Sequence, residues 1–309
     1  MEAMKIIFCN SMKKVIIVLV LIITIHPMNA QENLEEQDEL ITNIFNYGML
    51  INSQTTEITP KGTFELRIQH RFGELDLNDF GNSVVQEFLG FDGSANIRFG
   101  FVYAPSHKLQ LGIGRTKINK MIDLEGKYRV MRQKEVGAPI SVTLYFNTAI
   151  STIDFPEVGP NEFFADFETP FEYKNSHRFS YNSQLLLSKK IGETLSFELN
   201  PTFIYQNLVP PGYKNLTLAT SIGCRFRTGI TSSILFEYAA KFNNRKDNFK
   251  NPISLGYEIA TSGHAFQIII ATTNQIIEQS VYSSRTLDYT DGKLLIGFNI
   301  RRTFWNGNN

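Results

Sequence analysis

Cysteine, tryptophan, histidine and long apolar runs are all scarce in this 309-residue chain, and each scarcity excludes something. Of two cysteines, Cys9 lies in an N-terminal leader, which leaves Cys224 alone in the remainder. One thiol can form neither an internal disulfide nor a cysteine metal cluster. An excess of either charge is also missing, with 30 basic and 30 acidic residues. Removing residues 1–30 takes away Lys5, Lys13, Lys14 and Glu2, leaving 27 basic and 29 acidic residues. So balanced a chain lacks the basic stripe that a nucleic-acid partner requires. After the leader no uninterrupted apolar stretch reaches 18 residues, so no spanning helix is expected.

The leader itself has a clear grammar. Lys13 and Lys14 supply positive charge, and in Val15–Ile25 only Thr24 is not apolar. Pro27, Met28, Asn29 and Ala30 then offer a small residue at the cut, before Gln31. Eleven helical residues at about 1.5 Å each do not cross roughly 30 Å of hydrocarbon, so this is a signal peptide rather than an anchor. The expected organisation is a signal peptide over 1–30, a periplasmic lead-in over 31–62, a barrel over 63–305 and a tail over 306–309. Acidic residues crowd the start of the lead-in (Glu32, Glu35, Glu36, Asp38, Glu39), and a short helix is expected around Leu40–Tyr47.

What is abundant is alternation. In Thr63–Phe72, Phe64, Leu66, Ile68 and Phe72 share one phase, while Glu65, Arg67, Gln69 and Arg71 share the other. Strand side chains alternate faces, so such a segment separates something oily from something wet. The same pattern recurs in Ala95–Tyr103, Lys108–Arg115, Met121–Val130, Ile140–Thr148, Arg178–Leu187, Leu195–Tyr205, Leu216–Arg227, Ser233–Lys241, Ile253–Thr261, Ala265–Thr272 and Lys293–Phe304. That makes twelve segments of about ten residues. The expected fold is all-β, a transmembrane antiparallel up-and-down β-barrel of about 12 strands. Tyr103, Tyr128, Tyr181, Tyr205, Tyr238, Tyr257 and Trp305 fall near strand ends, as interfacial girdles do.

Connection lengths point the same way. Pro105–His107, Lys189–Glu193, Thr228–Ser232 and Ser262–His264 are short, as periplasmic turns should be, whereas Gly73–Ser94, Ile150–His177 and Thr273–Gly292 are long and expected outside. Two connections blur the rule: Thr116–Lys120 is short on the outer side, and Arg132–Pro139 is long on the periplasmic side.

The inward phase carries both charge signs. Its candidates are Glu65, Arg67, Arg98, Asp123, Glu125, Lys127, Arg129, Glu198, Arg225, Glu237, Glu258 and Arg301, with Arg71 in the same phase. They suit a selective channel lining. They equally suit a salt-bridge network filling a modest lumen, because twelve strands lie between a filled and an open barrel. Long side chains of balanced sign favour a partly occluded interior.

Other motifs carry less. Asp76, Asn78 and Glu87 graze a calcium-loop pattern, but Phe80 stands where an oxygen ligand is needed. The loop Phe155–Lys174 sets Phe163, Phe164, Phe167 and Phe171 among acids; it suits a plug or an adhesive surface less well than packing on the rim. His177, Ser180 and Asn182 are the nearest approach to a hydrolase set, and the opposite phases of His177 and Ser180 keep base and nucleophile apart. No catalytic residue, cofactor or metal ligand is expected, and the chain does not read as an enzyme.

Two stretches carry a family likeness. One is Ile58–Gly73, with Ile68-Gln69-His70-Arg71-Phe72-Gly73 at its heart; the other is Phe88-Leu89-Gly90-Phe91-Asp92 with Ile97-Arg98-Phe99-Gly100 and Gly112-Ile113-Gly114-Arg115. Together they resemble a family of Gram-negative outer-membrane β-barrels of unknown function, domain of unknown function 5777. The C-terminal Phe304-Trp305 is similar to the assembly signal of outer-membrane proteins, with four residues following it. The resemblance implies an outer-membrane barrel, and twelve strands with short periplasmic turns are expected to leave both termini periplasmic. Its expected partners are the lipid bilayer, the outer-membrane assembly machinery during biogenesis, and small solutes. The first expectation for function is a passive or weakly selective small-solute channel; the alternative is a non-conducting barrel acting through its extracellular loops.

Overall fold

Alternating segments satisfy their backbone only by pairing side by side, and a ring leaves no strand edge unpaired. In the computed structural model twelve antiparallel strands close in sequence order into one barrel. The structure describes residues 40–160, 162–164, 166–244, 250–284 and 286–305. The signal peptide, the first part of the lead-in and the tail lie outside the described residues. The strands are β1 (Phe64–Asp76), β2 (Asn96–Tyr103), β3 (Leu109–Thr116), β4 (Met121–Met131), β5 (Ser141–Ser151), β6 (Phe179–Ile191), β7 (Leu195–Gln206), β8 (Leu216–Arg227), β9 (Ser232–Lys241), β10 (Ile253–Ala260), β11 (His264–Ala271) and β12 (Lys293–Phe304). Closure is the β1–β12 pair, with Phe64 opposite Phe304 and Asp76 opposite Lys293.

The faces divide as the alternation predicts. In β10, Leu255, Tyr257 and Ile259 are 47–49% exposed on the outside, while Ser254, Gly256, Glu258 and Ala260 are buried inside. The ladder is interrupted where the chemistry requires it. Pro201 has no N–H to give, and the β6–β7 pairing skips from Gln184–Thr202 to Leu187–Leu199. Beside the β1 bulge, Gly297 lets His70 approach closely, since a Cβ there would stand 2.6 Å from the His70 carbonyl oxygen.

At one mouth lie the short turns and the ends of β1 and β12; at the other lie the long connections. The long β4–β5 turn has a structural reason. It grips the incoming chain, with Leu40 bridged to Lys134 and the Ile41 N–H donating to the Gln133 carbonyl at 2.9 Å.

Two expectations are corrected here. No helix forms over Leu40–Tyr47, because that stretch is bent and its carbonyls and apolar side chains are taken up by the wall. Nor does the described part of the lead-in, residues 40–62, stand outside the barrel. From Ile44 to Thr56 nearly every residue is buried, hydrogen-bonded to inward-facing side chains all round the ring.

Candidate functional site: a lumen closed from both mouths

The lumen is occupied by the chain itself. Residues 40–62 enter at the turn mouth, fold back and leave by the same mouth, where the Gly62 N–H meets the Ala104 carbonyl at 2.7 Å. The reversal is a hairpin: the Thr55 N–H donates to the Gly48 carbonyl at 3.0 Å, Met49 bridges Gln54, and the Leu50 N–H donates to the Ser53 carbonyl at 2.9 Å. Its tip, Leu50–Ser53, lies within the ring of strands.

Both apolar and polar groups seat it. Ile44, Phe45, Leu50 and Ile51 pack on inward-facing Leu235, Ile269 and Leu295. The wall is cut away to admit them. A Cβ on Gly223 would stand 2.5 Å from Leu50 Cδ2, and one on Gly256 would stand 3.3 Å from Ile51 Cδ1. Glycine is required at the first of these by space, not by backbone conformation.

Acidic wall residues meet the hairpin's donors. One oxygen of Glu237 accepts the N–H groups of Ile51, Asn52 and Ser53 at 3.2, 2.9 and 2.9 Å, and the Ser53 hydroxyl at 3.0 Å. Ser53 also hydrogen-bonds to Glu198, and Asn46 donates to Glu258 at 2.6 Å. Basic and amide side chains meet its acceptors. Lys127 holds the carbonyls of Gly48 and Thr55, and Arg225 those of Asn43 and Ile44. Arg301 and Gln267 share the Leu50 carbonyl, Asn299 takes Ile51, and Asn200 takes Gln54. Arg71 reaches the Asn52 side chain at 2.7 Å.

The remaining charges pair with one another. Arg67 binds Glu65 at 2.5 Å and Glu125 at 2.9 Å, while Arg98 grips Asp123 through two nitrogens at 2.6 and 3.1 Å. Paired in this way, buried charges escape the several kcal/mol of desolvation that a lone buried ion costs. All the inward candidates read from the sequence are buried within the barrel except Arg129, which sits half-buried near the turn mouth against Glu57 and the His107 carbonyl.

From the opposite mouth the β11–β12 connection folds inward. Thr272–Tyr282, apart from partly buried Asn274, is buried, including a single helical turn, α1 (Glu278–Val281). Gln279 donates to the Asn147 side chain at 2.5 Å, and Val281 and Tyr282 pack on Ile204, Ala219 and Ala239 across the lumen. Where this loop meets the hairpin, Ser53, Glu237, Glu278 and Tyr282 enclose about 10 Å³, which holds one water at most. A vestibule of about 470 Å³ remains at the turn mouth, bordered by Phe45, Tyr47, Arg225 and Trp305.

The motifs outside the lumen stay there. Phe155, Phe164, Phe171, Tyr173 and His177 stack into an aromatic group on the rim, and the described residues of the Ile150–His177 connection are exposed or half-buried, outside the lumen. His177 Nδ1 accepts the Lys174 N–H at 3.2 Å. Asp76 accepts the Asn78 N–H at 2.9 Å, and Phe80 opens a short helix, α2 in position after β1 (Phe80–Val85).

A family described as a membrane-bound β-barrel domain, domain of unknown function 5777, matches residues 45–304. The chain belongs to that family. The matched span takes in most of the hairpin as well as every strand, and a membrane-bound barrel sets its apolar outer face against lipid. Among solved structures, the NanC porin is 8% identical, with a TM-score of 0.46 over 79% of this chain and 99% of its own. An outer-membrane channel from Pseudomonas putida F1 is 10% identical, with a TM-score of 0.46 over 81% and 98%. Outer membrane phospholipase A from Escherichia coli, as an active-site mutant, is 11% identical, with a TM-score of 0.41 over 79% and 91%. At such scores none of them lends this chain a channel, a substrate or a catalytic residue. No curated protein matches it.

Proposed function

We propose that this family member is an outer-membrane barrel closed at rest by its own chain, a gated conduit for small solutes rather than a permanently open pore. The observation that carries the reading is the hairpin clasped inside the ring by Glu237, Lys127 and Arg301, with a chamber of about 10 Å³ where it meets the β11–β12 connection. The missing side chain at inward Gly223 leaves space that the hairpin's Leu50 shares with the wall's Glu198, so the wall is shaped to admit the hairpin. The hairpin enters and leaves at one mouth, so it can withdraw without threading. In this reading the leader over 1–30 is removed, both termini are periplasmic, the assembly machinery inserts the barrel, and the inward charges serve gating and support rather than catalysis.

Planar bilayer recording tests it. The purified full-length protein is expected to be silent. A variant that combines Glu237→Gln with glycine-serine replacement of residues 277–282 frees both inserts and is expected to give conductance steps. Stable steps from the unaltered protein refute closure; silence from the doubly released barrel refutes the conduit.

A further inference from the structure

We infer that the lumen wall is a binding site for extended peptide, occupied in cis by the chain's own hairpin and open in trans to another peptide of the same backbone shape. The inference rests on the reading that the hairpin can leave. What points to peptide is where the contacts land. Glu237 collects three consecutive backbone N–H groups, and Lys127, Arg301, Asn299 and Asn200 each take main-chain carbonyls. Thr143 adds the Thr56 carbonyl at 3.0 Å. Such contacts read N–H and C=O, which every peptide presents, and so tolerate many side chains.

The chemistry of the wall is sorted to match. Carboxylates of β7, β9 and β10 meet donors, while the cations and amides of β4, β11 and β12 meet acceptors. A wall shaped only to be filled would need apolar bulk, since a buried charge without a partner costs several kcal/mol. Here the ligand's peptide groups are the partners. Side-chain demands are fewer: Gly223 and Gly256 make room for two branched apolar residues at the tip, Ile44 and Phe45 pack on apolar wall residues, and Asn46 meets Glu258. The class of ligand is therefore an extended or hairpin-forming polar peptide with a pair of aliphatic residues at its turn.

The test uses full-length protein in detergent and a fluorescent peptide of residues 44–56, acetylated and amidated. Ser53→Pro removes one N–H from Glu237 and unseats the cis hairpin while leaving the wall intact. Ile51→Asp, which puts a charge at a fully buried position, is the second variant should the first fail to fold; heat-modifiable migration reports folding. Peptide binding is expected to be at least tenfold tighter to either folded variant than to the unaltered protein. A peptide shuffled outside Ile44-Phe45-Asn46 and the Leu-Ile pair is expected to bind within a few-fold, and one N-methylated at the three Glu237-facing positions to lose binding. Equal, absent or N-methyl-insensitive binding to a folded, released variant overturns the inference. That failure is distinct from failure of the conduit reading, because peptide enters from the turn mouth and needs no movement of the β11–β12 connection.

Discussion

Replacing Glu237 with Gln removes a charge and almost no volume, so its effect isolates the electrostatic hold on the hairpin. Four donors converge on one oxygen: three N–H groups at 2.9–3.2 Å and the Ser53 hydroxyl at 3.0 Å. Hydrogen bonds to charged groups contribute about 1.5–3 kcal/mol and neutral ones about 0.5–1.5, so each bond loses roughly 1 kcal/mol when the charge goes. The 3.2 Å bond counts for less, and the total is about 3 kcal/mol in favour of withdrawal. At about 1.4 kcal/mol per tenfold, the fraction of molecules with the hairpin out rises on the order of 10²-fold. Thiol labelling reads that fraction. In a Cys9→Ser, Cys224→Ser background, Gln54→Cys places the sole thiol at a position 2% exposed, and an impermeant maleimide reacts only with the withdrawn state. The expected result is labelling about a hundredfold faster in Glu237→Gln at unchanged heat-modifiable migration. Labelling within threefold of the parent would mean that Glu237 does not hold the hairpin.

Three further outcomes follow from the same contacts. Gly223→Ala sets a Cβ 2.5 Å from Leu50 and 2.6 Å from Glu198, an overpacking of about 1–3 kcal/mol that should speed Gln54→Cys labelling roughly tenfold. Gly126→Ala, which meets only Leu111 at 3.8 Å, should leave labelling unchanged. Asp123→Ala strips Arg98 of its bidentate partner in the interior and should cost on the order of 3 kcal/mol in denaturant unfolding from detergent, the low end because Glu125 still stands 3.3 Å away. At the base of the β11–β12 connection the Thr290 hydroxyl and N–H hold the Asp288 carboxyl below the usual carboxylate range. A depressed folded value means this hold is complete above the ordinary aspartate range and lost as pH falls through the folded value. Hydrogen exchange at the Thr290 amide should therefore show acid-dependent loss of protection, absent in Asp288→Asn.

The barrel was legible because period two is a property of every strand separately. Leu255, Tyr257 and Ile259 against Ser254, Gly256 and Glu258 announce their faces without reference to any neighbour. Inward placement of the charges follows from the same rule. The hairpin has no such period: its shape is imposed by Glu237, Lys127 and Arg301, which lie 72 to 251 residues away in the chain and are adjacent only once the ring closes. A signal was nonetheless present. Leu235, Ile269 and Leu295 are apolar on the inward phase, where a wet lumen would want polar groups, and Gly223 and Gly256 are small on that same phase. Apolar bulk beside missing bulk implies something seated between. The Ile276-Ile277 and Val281-Tyr282 pairs in a connection expected to face water carry the same hint for the second insert.

Two inserts from opposite mouths make closure redundant in a particular sense. The hairpin rests on side chains all round the ring, among them Arg71, Lys127, Thr143, Glu237 and Asn299, whereas the β11–β12 connection rests on Asn147, Met121, Ile204 and Ala219, so the two are held by different wall residues. They meet at the small chamber of Ser53, Glu237, Glu278 and Tyr282, and Gln54 hydrogen-bonds there to Glu278. Sites with separate partners contribute independently to an opening free energy, and those that meet add a coupling term on top. Withdrawal of the hairpin alone thus opens a blind site to the turn mouth, and a through path requires the second movement as well. On the proposed reading, a barrel built this way takes up a ligand at the turn mouth while the β11–β12 connection still blocks the far side.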